Sequence, residues 1–416
     1  MSIPATQLES CLDCIPKDID RVVLAYSGGL DSSVLLHLLA SGSHKYQVLV
    51  WHVNHGLQAM AQEMETFCRT RANQYKLTIK TSHLNLDSKA GNLESKARQA
   101  RYALFEQWLT KNDCLLTAHH ADDQAETFLL NALRGSGSAG LRGIAKSRPI
   151  GQSILLRPLL EVPGEALSSY ASVHRLQWFD DPSNVSDRFN RNYLRHHVMP
   201  LLKERWPGYL ESIRSVVSIQ VETQHALDEL GAQDLQNLQR NPGRPDCLSI
   251  VDLGELSRSR QKNVIRYWLK HFDHASLPQS RLNQLIEQLK SRNDAMPMIT
   301  GSGYDFRIYD RCLFLVPHGD PESLEESYDF NNQQLLKIET IGLQIERQSI
   351  MQRLKRKDSG QLIKLKFRRR AGTANPASHR LKRLFQKYKI PPWKRALTPQ
   401  IFLDGELVDL WTRDLF

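Results

Sequence analysis

Long apolar runs are missing from this chain. The longest, such as Val34–Ala40 and Val48–Val53, fall well short of the ~18 residues needed to cross a bilayer, which excludes a membrane-spanning helix and makes a soluble protein the expectation. Met1–Arg21 carries neither a basic leader nor an apolar stretch of ~7–15 residues, so no export signal is read there and a cytoplasmic location is expected. Cysteine is sparse: six in 416 residues, irregularly spaced, exclude a disulfide framework and fit a reducing compartment. Cys11 and Cys14 form a single C-x-x-C, yet a structural zinc site needs about four ligands and no second pair lies nearby. The pair reads as ordinary reduced thiols, with metal or redox chemistry the alternative. Internal repeats and low-complexity tracts are absent. Acid is too scarce to balance base: a net charge of +10 and a pI near 9.3 point to a polyanionic partner, nucleic acid first, because Lys and Arg facing phosphates release counterions.

What is present suggests two or three domains, at about one per 150 residues. From Arg21 to about Leu160, within a domain placed over residues 1–205, short β-rich apolar runs alternate with stretches of helical period, the pattern of a doubly wound α/β domain with a parallel sheet. Strands are expected at Val22–Tyr26, Val48–Val53, Leu77–Ser82, Cys114–Ala118 and Ile154–Arg157, with helices over Ser32–Ala40, Ala59–Gln74, Leu93–Thr110 and Asp122–Leu133. A loop with Asp180, Asp181 and Pro182 leads to a helical linker over residues 206–240. A mostly helical unit over 241–320 follows, with helices near Arg260–His271 and Ser280–Ser291 and a strand over Phe306–Val316. An acidic connector, Asp320–Asp329, precedes a small, basic, β-rich unit over 335–416.

The strongest local signal is Ser27-Gly28-Gly29-Leu30-Asp31-Ser32, directly after the first strand and before a helix. Two glycines let the backbone turn sharply beside an anion, and the helix offers unpaired N–H groups and the positive end of its dipole. Ser27 and Ser32 add hydroxyl donors, and Asp31 suits Mg²⁺ bridging a triphosphate. No lysine follows the glycines and the spacing is not G-x-G-x-x-G, so neither a Walker loop nor a dinucleotide fold is indicated. The hexapeptide resembles the pyrophosphate-binding loop of PP-loop ATPases, which cleave ATP between its α- and β-phosphates.

Two further segments fall at the carboxyl edge of the expected sheet, where open α/β folds bind ligands. The second strand ends in Val53-Asn54-His55-Gly56; in PP-loop enzymes this segment lies against the adenosine, and capping and turn roles are the alternative for Asn54 and His55. The fourth strand runs out into His119-His120-Ala121-Asp122-Asp123-Gln124-Ala125-Glu126. Its acids suit a metal ion or a cationic amine, or serve in part to stabilise a helix N-terminus.

Together, SGGLDSSVLLHLL, VNHGL, ESKARQARYALF, AHHADDQAETFLLNALRGSGSAGL and LLRPLL, in that order, resemble the tRNA(Ile)-lysidine synthase family, and the resemblance extends over the whole chain. It implies a PP-loop ATP pyrophosphatase domain, a central tRNA-binding domain and a C-terminal tRNA-binding domain. The implied reaction adenylates the C2 oxygen of the wobble cytidine in a CAU anticodon of tRNA(Ile), after which the ε-amine of free L-lysine attacks C2 and expels AMP. ATP and Mg²⁺ are the implied cofactors. Ser27, Gly28, Gly29, Leu30, Asp31, Ser32, Val53 and Asn54 are assigned to ATP. Asp31, Asp123 and Glu126, with His119 or His120 as proton acceptor, are assigned to catalysis or lysine binding. One departure is Gly164 after Pro163, where a basic side chain is expected; it weakens the case for a role of that loop.

Arg98 and Arg101 lie three apart on a helix, and Arg191 and Arg195 four apart; each pair faces phosphate or forms surface salt bridges. From Arg353 to Arg395 there are 16 Lys or Arg and a single acid, Asp358, a one-sided balance that suits RNA better than a solvated face. Arg368, Arg369, Arg370, Lys382, Arg383, Lys394 and Arg395 are the expected tRNA contacts. Phe367, Phe385, Tyr388 and Trp393 either stack on unpaired bases or form the core of a small domain. Rival readings are a PP-loop tRNA thiolase, disfavoured by the placement of the cysteines, and a non-catalytic RNA-binding protein. Whether the chain works alone or as a homodimer is left open.

Overall fold

Val22, Val23 and Leu24 are fully buried, as consecutive strand residues are when helices cover both faces of a sheet. The computed structural model describes residues 8–56, 60–84, 93–182, 186–187, 189–238, 246–289, 298–318, 327–330, 334–339, 343–357, 360–367 and 379–412. They divide into two compact units, Met1–His225 and Ala226–Phe416.

The first unit is built on a six-stranded sheet in the order β3-β2-β1-β4-β6-β5. Strands β1 (Arg21–Ala25), β2 (Gln47–Asn54), β3 (Thr78–His83), β4 (Asp113–Leu116) and β6 (Ser153–Leu156) are parallel, and β5 (Ser147–Ile150) is an antiparallel edge. Alternate residues point to opposite faces. Val22, Leu24, Val50, Cys114 and Leu116 pack beneath α1 (Leu30–Ser41), α2 (Ala61–Gln74) and the later helix Gly164–Val173. Val23, Trp51 and Leu115 meet Phe105 and Leu109, at the end of α3 (Leu93–Trp108), on the other face. Helix α4 (Ala121–Leu133) follows β4, and α5 is the Gly164–Val173 helix already mentioned. The expected doubly wound domain is present. Strand β5 escapes a reading by periodicity because Ser147-Arg148-Pro149-Ile150 has no apolar alternation; it is held by its hairpin with β6.

The chain then bends through Asn190–Tyr193, a π-helical turn at Leu194–Val198 and Met199–Arg205 before the long helix α6 (Tyr209–Leu238). Near the N-terminus, the Cys14 thiol donates to the Cys11 carbonyl at 3.2 Å, and both cysteines are free of disulfides.

In the second unit, α7 (Ile250–Glu255), α8 (Arg258–His271) and α9 (Gln279–Gln288) pack with the sheet β7-β10-β9-β8 around Trp268, Tyr304 and Phe306. Its strands are β7 (Cys247–Ser249), β8 (Met298–Thr300), β9 (Tyr304–Tyr309) and β10 (Cys312–Pro317). The single strand expected over Phe306–Val316 is therefore a hairpin. Asp310 and Arg311 both take positive φ, 47° and 60°, the primed turn that matches strand twist. Asp-Arg lacks the glycine that normally announces such a turn, which is why the sequence reads as continuous.

A second sheet, β11-β14-β15-β16, encloses Phe330, Ile363, Leu365 and Trp411. It comprises β11 (Ser327–Asp329), β14 (Ile363–Lys366), β15 (Gln400–Leu403) and β16 (Glu406–Leu410), with a separate hairpin of β12 (Leu335–Ile338) and β13 (Leu343–Glu346). Two helices accompany it, α10 (Arg347–Arg353) and α11 (His379–Lys387). The rest of the expected acidic connector, residues 320–326, lies outside the described residues, as do Arg368, Arg369 and Arg370.

Candidate active site

The strand order reverses at β1, whose neighbours are β2 on one side and β4 on the other. Their carboxyl ends form the crevice that doubly wound sheets use for ligands. The Ser27–Ser32 loop leaves β1 there. Gly28 has φ +86°, and a Cβ on it would stand 3.0 Å from Cys68 Sγ, so both conformation and space require glycine. Ser32 Oγ donates to the Gly29 carbonyl and lies 3.0 Å from Ser27 Oγ, fixing the loop from within. Helix α1 has no side-chain cap, which leaves its first-turn N–H groups available to an anion. Gly28→Ala is expected to cost about 1–3 kcal/mol of stability, measured by denaturant unfolding; a variant as stable as wild type would refute the steric account.

Across the crevice, β4 delivers His119 and His120. His120 is 8% exposed, with Nδ1 3.3 Å from Asp122 Oδ2 and Nε2 3.6 Å from Asp31 Oδ2 and 3.7 Å from Asp123 Oδ2. Burial pulls its pKa down, but Asp122, Asp123 and Asp31 more than offset this and hold it at about 9. His120 is thus an imidazolium at neutral pH, so Nδ1 donates to Asp122 and does not accept from the Asp122 amide. As a group already protonated, it is the wrong one of the two histidines to take a proton. His119 differs: burial, then Arg157, Arg98 and Arg191, outweigh Asp123 and push its pKa well down, leaving a neutral ring with Nδ1 3.0 Å from Thr117 Oγ1. Asp31 is raised above the usual carboxylate range by burial, with His120 opposing and Asp123 adding to the shift.

His120's raised pKa has a testable sign. A group that binds its proton more tightly when folded stabilises fully below the unfolded value near 6.5 and loses that contribution as pH rises through about 9. Thermal melts of the wild type should therefore fall relative to those of His120→Gln between these pH values. Parallel curves would sink this assignment.

The remaining acids are engaged. Glu126 is 1% exposed and accepts from Arg191 Nε at 2.6 Å and Arg195 Nε at 2.6 Å. Asp123 Oδ1 takes Arg191 at 2.7 Å and Arg195 at 3.3 Å, while its Oδ2 accepts the His120 amide at 3.0 Å. Arg191 and Arg195, read as facing phosphate or forming salt bridges, are here the partners of Asp123 and Glu126, read as binding lysine or a metal ion. Arg195 lies in the π-helical turn and Arg191 in the helical turn just before it, so the pair's four-residue spacing spans their junction. Asp122 also accepts the Gly164 amide at 2.7 Å. A Cβ at Gly164 would stand 3.1 Å from both Asp122 Oδ2 and His120 Cε1, so glycine gives this loop a positioning role through its backbone.

At the end of β2, Val53 is buried and Asn54 is committed internally: its Nδ2 donates to Glu65 Oε2 at 3.2 Å and its Oδ1 accepts the Gly56 amide at 2.8 Å. The Asn54 side chain thus braces the loop. Glu65 in turn meets His83 at 2.8 Å and Arg69 at 3.0 Å. Arg98, Arg101 and Arg148 lie 5.2, 5.8 and 4.7 Å from the Tyr102 ring centre. Burial pushes the Tyr102 phenol up, yet these arginines and buried Arg157 together hold it below its ordinary value. Burial lowers the Arg101 pKa, with Tyr102 opposing and Arg98 adding to the shift. Glu65, His83, Arg148 and Arg157 were not picked out in the sequence. Only Arg157, inside LLRPLL, carried a signal, as a charge in an otherwise apolar strand end.

In the second unit, Lys382 and Arg383 are exposed on α11. Lys394 pairs with Asp246 at 2.6 Å, and Arg395 Nε donates to the Ile390 carbonyl at 3.1 Å. Phe367 and Phe385 are core, and the Tyr388 hydroxyl donates to Asp409 at 3.0 Å; Trp393 is half-buried. Among the described residues, no group of three or more His, Cys, Asp or Glu is arranged to hold a metal ion, and no helix is long and apolar enough to cross a membrane.

A glycine-bearing anion loop at the switch point of a doubly wound sheet, facing a histidine–carboxylate edge, defines a PP-loop domain, and the family model of that description matches residues 4–202. Models described as the TilS substrate binding domain and the TilS substrate C-terminal domain match residues 248–314 and 363–412. The chain is 36% identical over 398 residues to tRNA(Ile)-lysidine synthase of Serratia proteamaculans, covering 93% of this chain and 90% of that one. The same-named protein of Coxiella burnetii is 35% identical, with 92% and 87% covered. This chain belongs to the tRNA(Ile)-lysidine synthase family. Among solved structures, U34-tRNA thiolase NcsA of Methanococcus maripaludis is similar over 52% of this chain and 79% of its own, with 20% identity and a TM-score of 0.44.

Proposed function

We propose that the protein ligates free lysine to C2 of the wobble cytidine in a CAU anticodon of tRNA(Ile), using ATP and releasing AMP and pyrophosphate. The observation that carries the reading is the meeting of the two edges, Asp31 from the phosphate loop and His120 from β4, 3.6 Å apart. The same crevice can therefore hold a triphosphate against the amides of α1 and present a second reactant to the histidine–carboxylate edge.

In the first step the cytidine C2 oxygen attacks the α-phosphorus and pyrophosphate leaves. The loop amides and the His120 imidazolium neutralise charge as it builds on the phosphoryl oxygens. Asp31 is a suitable Mg²⁺ ligand, because this ion is commonly held by one or two carboxylates plus substrate phosphates and needs no all-protein cage. When bound, Mg²⁺ would add to the charge neutralisation of the triphosphate. In the second step the lysine ε-amine attacks C2, the bond to the adenylate oxygen breaks and AMP departs. Free lysine carries an ammonium of pKa ~10.4 and must first lose a proton. His119, the neutral histidine, is the proposed acceptor. Asp123 and Glu126 already bind cations, two guanidinium groups, and the same oxygens suit an ammonium once a guanidinium gives way.

The test is incubation with ATP, Mg²⁺, radiolabelled lysine and an unmodified tRNA(Ile) transcript, with tRNA(Met) as control, counting label that survives alkaline deacylation. Stable, ATP-dependent label in tRNA(Ile) alone supports the reading. Pyrophosphate release without stable label overturns it and redirects the search to another nucleophile.

A further inference from the structure

The second unit contains a cavity of about 540 Å³ that the active-site chemistry does not use. Phe272, His274 and Val316 line it from the segment before the C-terminal sheet; Trp393, Ala396 and Leu397, which follow α11, line it from the other side. We infer that this cavity receives one unstacked base of the RNA substrate, an inference that rests on the RNA-modifying function proposed above.

Charge narrows the occupant first. Lys394 pairs with Asp246 at 2.6 Å, and Asp305 pairs with Arg307 and His318 at 2.9 Å each. The lining ions thus neutralise one another inside an otherwise basic region, which suits an uncharged group better than a phosphate or a metal ion. Hydrogen bonding narrows it further. Trp393 Nε1, Arg307 Nε and Asp246 Oδ1, all on lining residues, are buried without a hydrogen-bond partner among the described residues. Buried polar atoms are rarely left so. Two donors and an acceptor beside apolar walls are what the edge of a nucleobase requires, since each base presents acceptors and, on most edges, a donor.

The phosphates attached to such a base have a matching surface. Helix α11 buries Leu381 and Phe385 and exposes Arg380, Lys382, Arg383 and Lys387, and the chain runs from it through Ile390 and Pro391 to Trp393. Trp393, one of the four aromatics interleaved with the basic segment, lines this cavity, with Arg307 5.5 Å from its ring centre.

Ultraviolet crosslinking of an unmodified tRNA(Ile) transcript to the full chain, followed by peptide mapping, tests this directly. A nucleotide adduct on the peptide holding Phe272 or Trp393 is expected; adducts confined to other peptides overturn the assignment. Ala396→Phe fills the cavity without removing a polar group and should raise KM for the RNA roughly tenfold, with kcat and KM for ATP unchanged. Trp393→Phe, which keeps the ring and removes the N–H donor, should shift the RNA KM in the same direction, and it decides the matter if Ala396→Phe melts early. An unchanged RNA KM in the variants that melt as the wild type overturns the inference. RNA retention on filters, measured beside lysine incorporation, separates the two readings: RNA that crosslinks in the cavity without becoming lysine-labelled refutes the function and leaves the cavity assignment standing.

Discussion

Asp31→Ala is expected to slow RNA-dependent pyrophosphate release at least about a thousandfold, the scale seen when a preorganised charge at a reacting phosphate or oxyanion is removed. Asp31 stands in the first turn of α1, beside amides that no side chain caps, and its nearest opposite charge is His120 at 3.6 Å. Its carboxylate is held there against the cost of burial, which raises its pKa. A half-exposed carboxylate with a raised pKa, at a ligand-binding crevice, is more readily explained by chemistry than by stability. Accordingly the melting temperature of the variant should change little, and Asp31→Asn, which keeps the shape and removes the charge, should be nearly as slow. Retention of more than a tenth of the wild-type rate by Asp31→Ala would remove Asp31 from the catalytic set.

Glu126→Ala should instead act on stability. Its carboxylate is 1% exposed and receives both Arg191 and Arg195, each at 2.6 Å. Removing it takes charge-assisted bonds from Arg191 and Arg195, which are partly exposed and keep Asp123, at a cost of about 1–3 kcal/mol, which for a unit of this size lowers the melting temperature by roughly 5 °C. Glu126→Gln, which keeps the volume and one acceptor, should lose less. If scanning calorimetry finds Glu126→Ala as stable as the wild type, the network contributes nothing to the fold and the pairing is incidental.

The parts of the molecule that could be read from sequence are those governed by short-range rules. Strand β1 and the loop after it were legible because an apolar run, two glycines and a helix start lie within a dozen residues, and each has one physical meaning. The doubly wound class followed from alternation of period. Partner choice was not legible. Arg191 and Arg195 lie 65 or more residues from Glu126, and nothing in their four-residue spacing says whether they face phosphate or a carboxylate. The protonation of the two adjacent histidines was likewise out of reach, since it depends on Asp31 and Asp122 reaching His120 while Arg157, Arg98 and Arg191 surround His119. Asn54, at the ligand-binding edge, has its side chain engaged by Glu65 and the Gly56 amide, partners that its place at a strand end does not announce.

The guanidinium groups on Asp123 and Glu126 have a kinetic consequence. A cation tethered to the same chain competes with a free one at an effective concentration that can reach millimolar, without being depleted or diluted. A diffusible amine arriving at these oxygens meets that resident rival, so its apparent affinity is its intrinsic affinity reduced by the fraction of time the arginines are displaced. Under the lysine role proposed for these oxygens, the arrangement raises the concentration of free amino acid needed for half-occupancy by that same factor.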